Sequence, residues 1–256
     1  MLRQRVYGLV QGWEDLNNHA QRRRDIAYQS AVGRDDDLAS APTLCRLEKL
    51  STRAAAINFR KNWYSTSMPP TARCTAGRRI VSSMATQPVL AKAGNSYCYL
   101  PLYVFCGEQM LAAYLRPSKI DGAKHAAGIL KLLVTRLRQV WPAVRIIFRC
   151  RRGEAENRIK EAQLGLFATR TSCQYFNANQ FRILLSALAY TMVERLRALA
   201  LKDTPLASAQ INTLRNQLLK LAAVITRNTR RIRLYFASHW PSASIFQTAL
   251  HALNSG

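Results

Sequence analysis

Residues 151–167 read RRGEAENRIKEAQLGLF and set Glu154 and Glu156 among Arg151, Arg152, Arg158 and Lys160. On a helix, Glu154 reaches Arg158 and Glu156 reaches Lys160, each four residues apart with the acid leading. That is the ordinary pattern of an exposed, self-paired helix. The same residues admit a second chemistry. A single carboxylate held among guanidinium and ammonium groups is the setting in which phosphodiester-cutting enzymes keep a metal ion beside phosphate. The chain offers no competing catalytic motif: there is no phosphate-cradling glycine loop, no GxSxG and no HExxH. His19, His125, His239 and His251 are dispersed and read as surface or packing residues. The six cysteines (45, 74, 98, 106, 150 and 173) form no CxxC and have no histidine at ligand spacing, which suits reduced thiols.

The charge points to the partner. Lys and Arg number 38 against 14 Asp and Glu, a net charge of +24 on 256 residues that are 48% hydrophobic. A foldable chain with that surplus fits a polyanion, nucleic acid first and an anionic membrane surface second. The surplus is concentrated: no acid lies between Lys49 and Cys106 or between Thr204 and Gly256, whereas five sit between Asp15 and Asp37. Glu14 and Asp15 come too early for a signal peptide, and Pro101 and Glu108 break the most apolar window, 97–115. A cytoplasmic protein is expected.

The elements that would position these residues follow from periodicity. A helical stripe (Val6, Leu9, Val10, Trp13, Leu16) predicts a helix over residues 2–31, and Ser40 can cap a second, with Pro42 in its first turn. Residues 97–106 and 110–118 read as a strand buried on both faces and a second strand, joined at Gly107. A helix from Asp121, with Ile129, Leu132, Leu133, Leu137 and Val140 apolar, stops at Trp141-Pro142, and 144–150 is a third strand. Strand, strand, helix, strand implies an α/β sheet with a helix across it. Helices are expected at 154–163, at 179–201, from Ile211 to Ile225 and after Pro241. Residues 230–238 alternate as a half-buried strand with a basic outer face.

Several blocks, in order, resemble the bacterial insertion-sequence transposases of DDE domain group one: QRVYGLVQGWEDLNNH (4–19), LASAPTLCRLE (38–48), YCYLPLYVFCGEQML (97–111), YLRPSKIDGAKHA (114–126) and GEAENRIKEAQLGLFATRTS (153–172). The similarity spans residues 2–56 and 97–256. It implies a ribonuclease-H-like sheet on which three acids hold two Mg²⁺ ions, one activating the attacking hydroxyl and the other stabilising the leaving oxygen. The third acid maps to Glu156, as catalytic residue and metal ligand. Arg152 matches a basic residue that contacts DNA, and Arg151, Arg158, Lys160 and Arg170 join it as DNA-binding candidates. The implied partners are the element's terminal inverted repeats, further copies of the chain, and intact transposase.

The chain departs from the family at the other two acids. The first belongs in a DFDATD strand ahead of YCYLPL, yet no acid lies between Glu48 and Glu108. The second ends a strand IIFRGDSG, where this chain reads IIFRC and runs into RRGEAEN without the family's long insertion. The opening block lies well inside family members, which implies a missing N-terminal segment. Between these losses, KNWYSTSMPPTARCTAGRRIV (61–81) has neither helical nor strand period, and Pro69-Pro70 opposes both. One permissible codon set for Lys61–Pro70, AAG AAC TGG TAC TCG ACT TCG ATG CCA CCG, yields Glu-Leu-Val-Leu-Asp-Phe-Asp-Ala-Thr when read from its third base. The missing catalytic strand is therefore expected to lie here out of frame, with the frame restored by about Ser96.

The expected architecture is α/β, an incomplete ribonuclease-H-like fold whose mixed sheet lacks its first catalytic strand, with helical N- and C-terminal parts. Its segments are 1–56 (helical), 57–96 (irregular), 97–150 (core remnant) and 151–256 (the Glu-bearing helix, long helices and basic strand). The expected function is that of a degenerate DDE transposase without catalysis. The alternative is a non-catalytic DNA-binding protein acting at element ends or with intact transposase. A membrane-surface role is weaker, because basic residues share segments with buried apolar stripes.

Overall fold

Nearly every side chain of one short strand is enclosed. In β2 (Leu102–Cys106) the first four residues, Leu102, Tyr103, Val104 and Phe105, are at most 1% exposed. Such a strand must be covered on both faces and paired along both edges. The computed structural model, which describes residues 1–49, 79–86, 99–117, 119–121, 123–143, 145–149, 153–169, 171–228 and 231–254, supplies that surrounding. Two units divide the chain: Glu48–Thr191, and Met1–Leu47 with Met192–Gly256.

In the first unit, β1 (Arg79–Thr86), β2, β3 (Gln109–Tyr114) and β4 (Arg145–Arg149) form one sheet in the order β3-β2-β1-β4. β1 runs antiparallel to β2, with Met84 opposite Val104, and parallel to β4, with Ser82 opposite Phe148. β2 and β3 form the expected hairpin, turning at Gly107, whose φ of +57° suits a residue without Cβ. Helix α5 (Ala126–Val140) lies on the sheet through Leu133 and Leu137, which pack with Val104, Leu111 and Ala112. Leu132, expected on that stripe, is instead exposed, and Leu130 takes part in its place.

The sheet corrects the expectation of a missing inner strand. Residues of the segment read as irregular, Arg-Ile-Val-Ser-Ser-Met-Ala-Thr, occupy the position between β2 and β4. Backbone pairing explains this: without β1 the facing edges of β2 and β4 would have unpaired donors and acceptors, and a ladder needs no particular side chain. Lys61–Pro70, the stretch expected to be out of frame, lies outside the described residues.

The long helix α7 (Phe176–Ala200) contributes its residues up to Thr191 to this unit. Gln180 accepts from Leu115 N at 2.6 Å and donates to Ala113 O at 3.3 Å, while Tyr190 Oη donates to Glu108 O at 3.1 Å. Asn179 Nδ2 donates to Cys173 O and Tyr99 Oη, and its Oδ1 accepts from Cys173 N. These polar groups satisfy irregular backbone that the sheet leaves unpaired.

In the second unit, the expected continuous helix over 2–31 is three helices: α1 (Leu2–Val10), α2 (Asn17–Gln21) and α3 (Ile26–Val32). Gly12 (φ +87°) ends the first, the Asp25 carboxylate caps the third through Tyr28 N, and Gly33 (φ +78°) closes it. Buried Arg215 donates to Leu9 O and Val10 O at 2.7 and 2.6 Å, bringing a cation to the carbonyl end of α1. Helix α4 (Ala41–Lys49) begins as expected, with Ser40 Oγ accepting from Thr43 N.

The expected helix from Ile211 to Ile225 is also divided. Helix α8 (Ile211–Leu214) and a π-helical turn (Arg215–Leu219) are followed by β5 (Ala223–Arg227), which pairs antiparallel with β6 (Ile232–Phe236). The β-branched run Val224-Ile225-Thr226 prefers the extended ladder once a partner strand is present. β6 is exposed from Ile232 to Tyr235, not half-buried as expected. Helix α9 (Ala243–Asn254) follows, and Phe246, Trp240 and Phe236 form an aromatic cluster at the ribbon's base.

Candidate functional site

Three residues after β4 the chain turns into α6 (Gly153–Lys160), which packs against β1. Ile159 anchors the helix and is fully buried. Glu156 is half-buried, Arg158 is half-buried and Lys160 is exposed. The helix therefore brings Glu156, Arg158 and Lys160 to one element beside the inner strand. Arg151, Arg152 and Arg170, and the side chain of Glu154, lie outside the described residues. The expected pairing of Glu156 with Lys160 does not occur: no ion pair joins them, although both are described. Burial of Ile159 orients the helix, and that outweighs the few tenths of a kcal/mol, roughly, which an exposed i,i+4 pair contributes.

α6 does not end normally. It runs into a π-helical turn, Glu161–Gly165, that buries Ala162 and Gln163. Such turns insert an extra residue and recur at functional sites. Gln163 is buried, and its Nε2, like the Tyr103 hydroxyl of β2, has no hydrogen-bond partner among the described residues. Complete burial pushes the Tyr103 phenol well above its ordinary range, with the Gln163 side chain acting weakly in the opposite sense. Sequence periodicity carried no sign of this turn, because an inserted residue looks like a change of helical phase.

The surroundings decide what Glu156 can do. β1 beside it carries Arg79, three hydroxyl residues (Ser82, Ser83, Thr86) and no carboxylate. β4, parallel to β1, ends at Arg149 and continues into Cys150 and Arg151. Among the described residues no group of three His, Cys, Asp or Glu side chains could hold a metal ion. A single carboxylate makes a weak divalent-metal site, since such ions need about two anionic ligands. No described helix is long and apolar enough to cross a membrane.

Comparison with known proteins gives one family. The transposase DDE domain group 1 family matches residues 1–75, 92–150 and 150–255. The match covers most of the chain, pauses between 75 and 92, and is broken at residue 150, where β4 gives way to α6. No curated protein matches the chain, nor does any solved structure.

Proposed function

The chain belongs to the transposases of DDE domain group 1, and from that premise we propose that it binds DNA at element ends without cutting or joining it. DDE transposases act on DNA with divalent metal, and the core of this chain has features in keeping with that ancestry. The order β3-β2-β1-β4, antiparallel from β3 to β1 and parallel from β1 to β4, supports a ribonuclease-H-like reading. Glu156, on the helix against β1, is then the third acid, and Arg151, Arg152, Arg158, Lys160 and Arg170 are its DNA contacts.

One observation carries the loss of catalysis. The strand that α6 packs against, Arg79–Thr86, has no carboxylate in any of its eight residues. A two-metal reaction needs acids from β1 and from the end of β4 to converge with that of the helix. Here β4 ends at Arg149 and the sequence reads on as Cys150, Arg151 and Arg152, which places cations and no carboxylate where the second acid would be needed. The residues present do not fit a Mg²⁺ pair. DNA affinity does not depend on those acids, because phosphate contacts come from Lys and Arg. The break in the family match at residue 150 supports the loss of an insertion there.

We read the chain as a cytoplasmic, degenerate copy that occupies terminal inverted repeats alone, as a homo-oligomer or beside intact transposase. The stretch 61–70 reads as a frameshifted first catalytic strand, and the gene decides this: codons that do not spell DFDAT in the shifted frame would refute it. For catalysis, purified full-length protein is incubated with duplex carrying the terminal repeats and Mg²⁺ or Mn²⁺. A retarded complex without nicked or joined product is expected. Metal-dependent cleavage would overturn the proposal.

A further inference from the structure

The β5–β6 ribbon has two different faces. Cross-strand pairing puts Val224 opposite Tyr235 and Thr226 opposite Arg233, so these four share one face. The other face holds Ala223, Ile225, Arg227, Ile232, Leu234 and Phe236. This second face is tied to its own unit at Phe236, which packs on Trp240 and Phe246, and at Arg227, which pairs with Asp35, with β5 near α3, while Ile232 and Leu234 stay 43% and 48% exposed. The first face is bare. Val224 is 67% exposed and Tyr235 51%, and Thr226 and Arg233 are exposed as well.

The charge of the bare face has one sign. Arg231 and Arg233 have no acidic partner among the described residues, and no Asp or Glu follows Asp203 in the sequence. Asn228 N donates to Arg231 O at 3.0 Å and Asn228 Oδ1 accepts from Arg231 N at 2.8 Å, which extends the pairing of the two strands by one residue beyond Arg227 and Ile232. The result is a narrow, twisted, two-stranded ribbon presenting Arg, Thr and Tyr. A B-form major groove is wide enough for such a ribbon, Arg and Thr supply donors for phosphates and base edges, and Tyr supplies an apolar body with a hydroxyl. A lipid surface fits less well, because no continuous apolar stripe separates from the cations on this face.

We propose that the β5–β6 ribbon is a second DNA-contacting surface, separate from the α6 site, that lies in a duplex groove with the Val224–Thr226–Arg233–Tyr235 face inward and Arg231 on the phosphates. The proposal rests on the DNA-binding reading above and adds where the duplex is gripped.

The test compares the full-length chain with the double variant Arg231→Ala/Arg233→Ala on a fluorescent duplex, across a salt series. Loss of two phosphate contacts should reduce the slope of log K against log salt by about 1.8 and weaken binding roughly tenfold or more near physiological salt. Arg231→Lys/Arg233→Lys should keep the slope, since a phosphate contact needs charge alone, and Tyr235→Ala should weaken binding without changing it. Circular dichroism and thermal melting should be unchanged in all three, because these side chains are exposed. An unchanged slope and affinity in the Ala variant overturns the ribbon proposal and leaves the α6 reading standing. Failure of the unaltered chain to bind any duplex overturns both. The proposal also falls if the Ala variant loses binding to phosphatidylserine vesicles, or changes its oligomeric state, while DNA binding persists.

Discussion

The two sheets of this chain are made from similar sequence and behave in opposite ways. LYVFC in β2 and IRLYF in β6 are both five-residue strands with four aliphatic or aromatic residues, the fifth being Cys106 in one and Arg233 in the other. β2 has ladders on both edges and cover on both faces, so its first four residues are at most 1% exposed. β6 has one partner, and Leu234 and Tyr235 are 48% and 51% exposed. An apolar strand is thus a core element only when neighbours close around it. Without them the same composition is a surface available to a partner.

The comparison breaks first, and hardest, at the core. Phe105→Ala leaves a cavity beneath Tyr190, against whose ring it packs edge-on at 5.9 Å, and should cost about 3–5 kcal/mol in chemical denaturation. A cost below about 1 kcal/mol would mean that the sheet interior is not packed as described. Next comes Asn179→Ala, which strips the polar partners of Cys173 and Tyr99 inside the protein. The expected loss is about 1–3 kcal/mol, read from the denaturant midpoint at constant m-value.

Alkaline pH sharpens the contrast between the units. Burial raises Tyr103 in the sheet unit and Tyr28 in the other, where the Tyr28 hydroxyl also donates to Gln4 O. A phenol held neutral in the folded chain stabilises it below the unfolded value of about 10, and that stability is lost as pH rises above it. Tyr103→Phe should therefore flatten the fall in melting temperature above about pH 10. Tyr28→Phe should flatten it too, but at the cost of a hydrogen bond at neutral pH. A pH profile unchanged by either substitution would contradict both burials. The smallest effect belongs to the ribbon, where Leu234→Ser should leave stability within about 0.5 kcal/mol of the parent.

Elements whose cause is local were legible from residues alone. Ser40 caps α4 because a hydroxyl one residue ahead of the helix meets its open amides, and Gly107 turns the β2–β3 hairpin because it tolerates positive φ. The helix of Glu156 was legible too. Three readings failed where distant residues decide. The helix over 2–31 is broken at Gly12, where the chain turns over the buried Arg215. Ile225, in phase with an apolar helical stripe, went to a strand because Leu234 lies opposite it. Arg79–Thr86 joined the sheet although its own pattern is weak, because β2 and β4 supply the ladder partners on either side.

Sequence by itself determined the excess of cations, the missing acids around β1 and β4, the family blocks and the short elements with their caps. These depend on residue identity and on neighbours a few positions away. Tertiary structure alone decided which strand fills the centre of the sheet, which i,i+4 pair fails to form, and which of two similar apolar strands stays bare. The physical reason is the same in each case. Backbone pairing and burial are settled by groups far apart in the chain, and a side chain's own character does not say what will be opposite it.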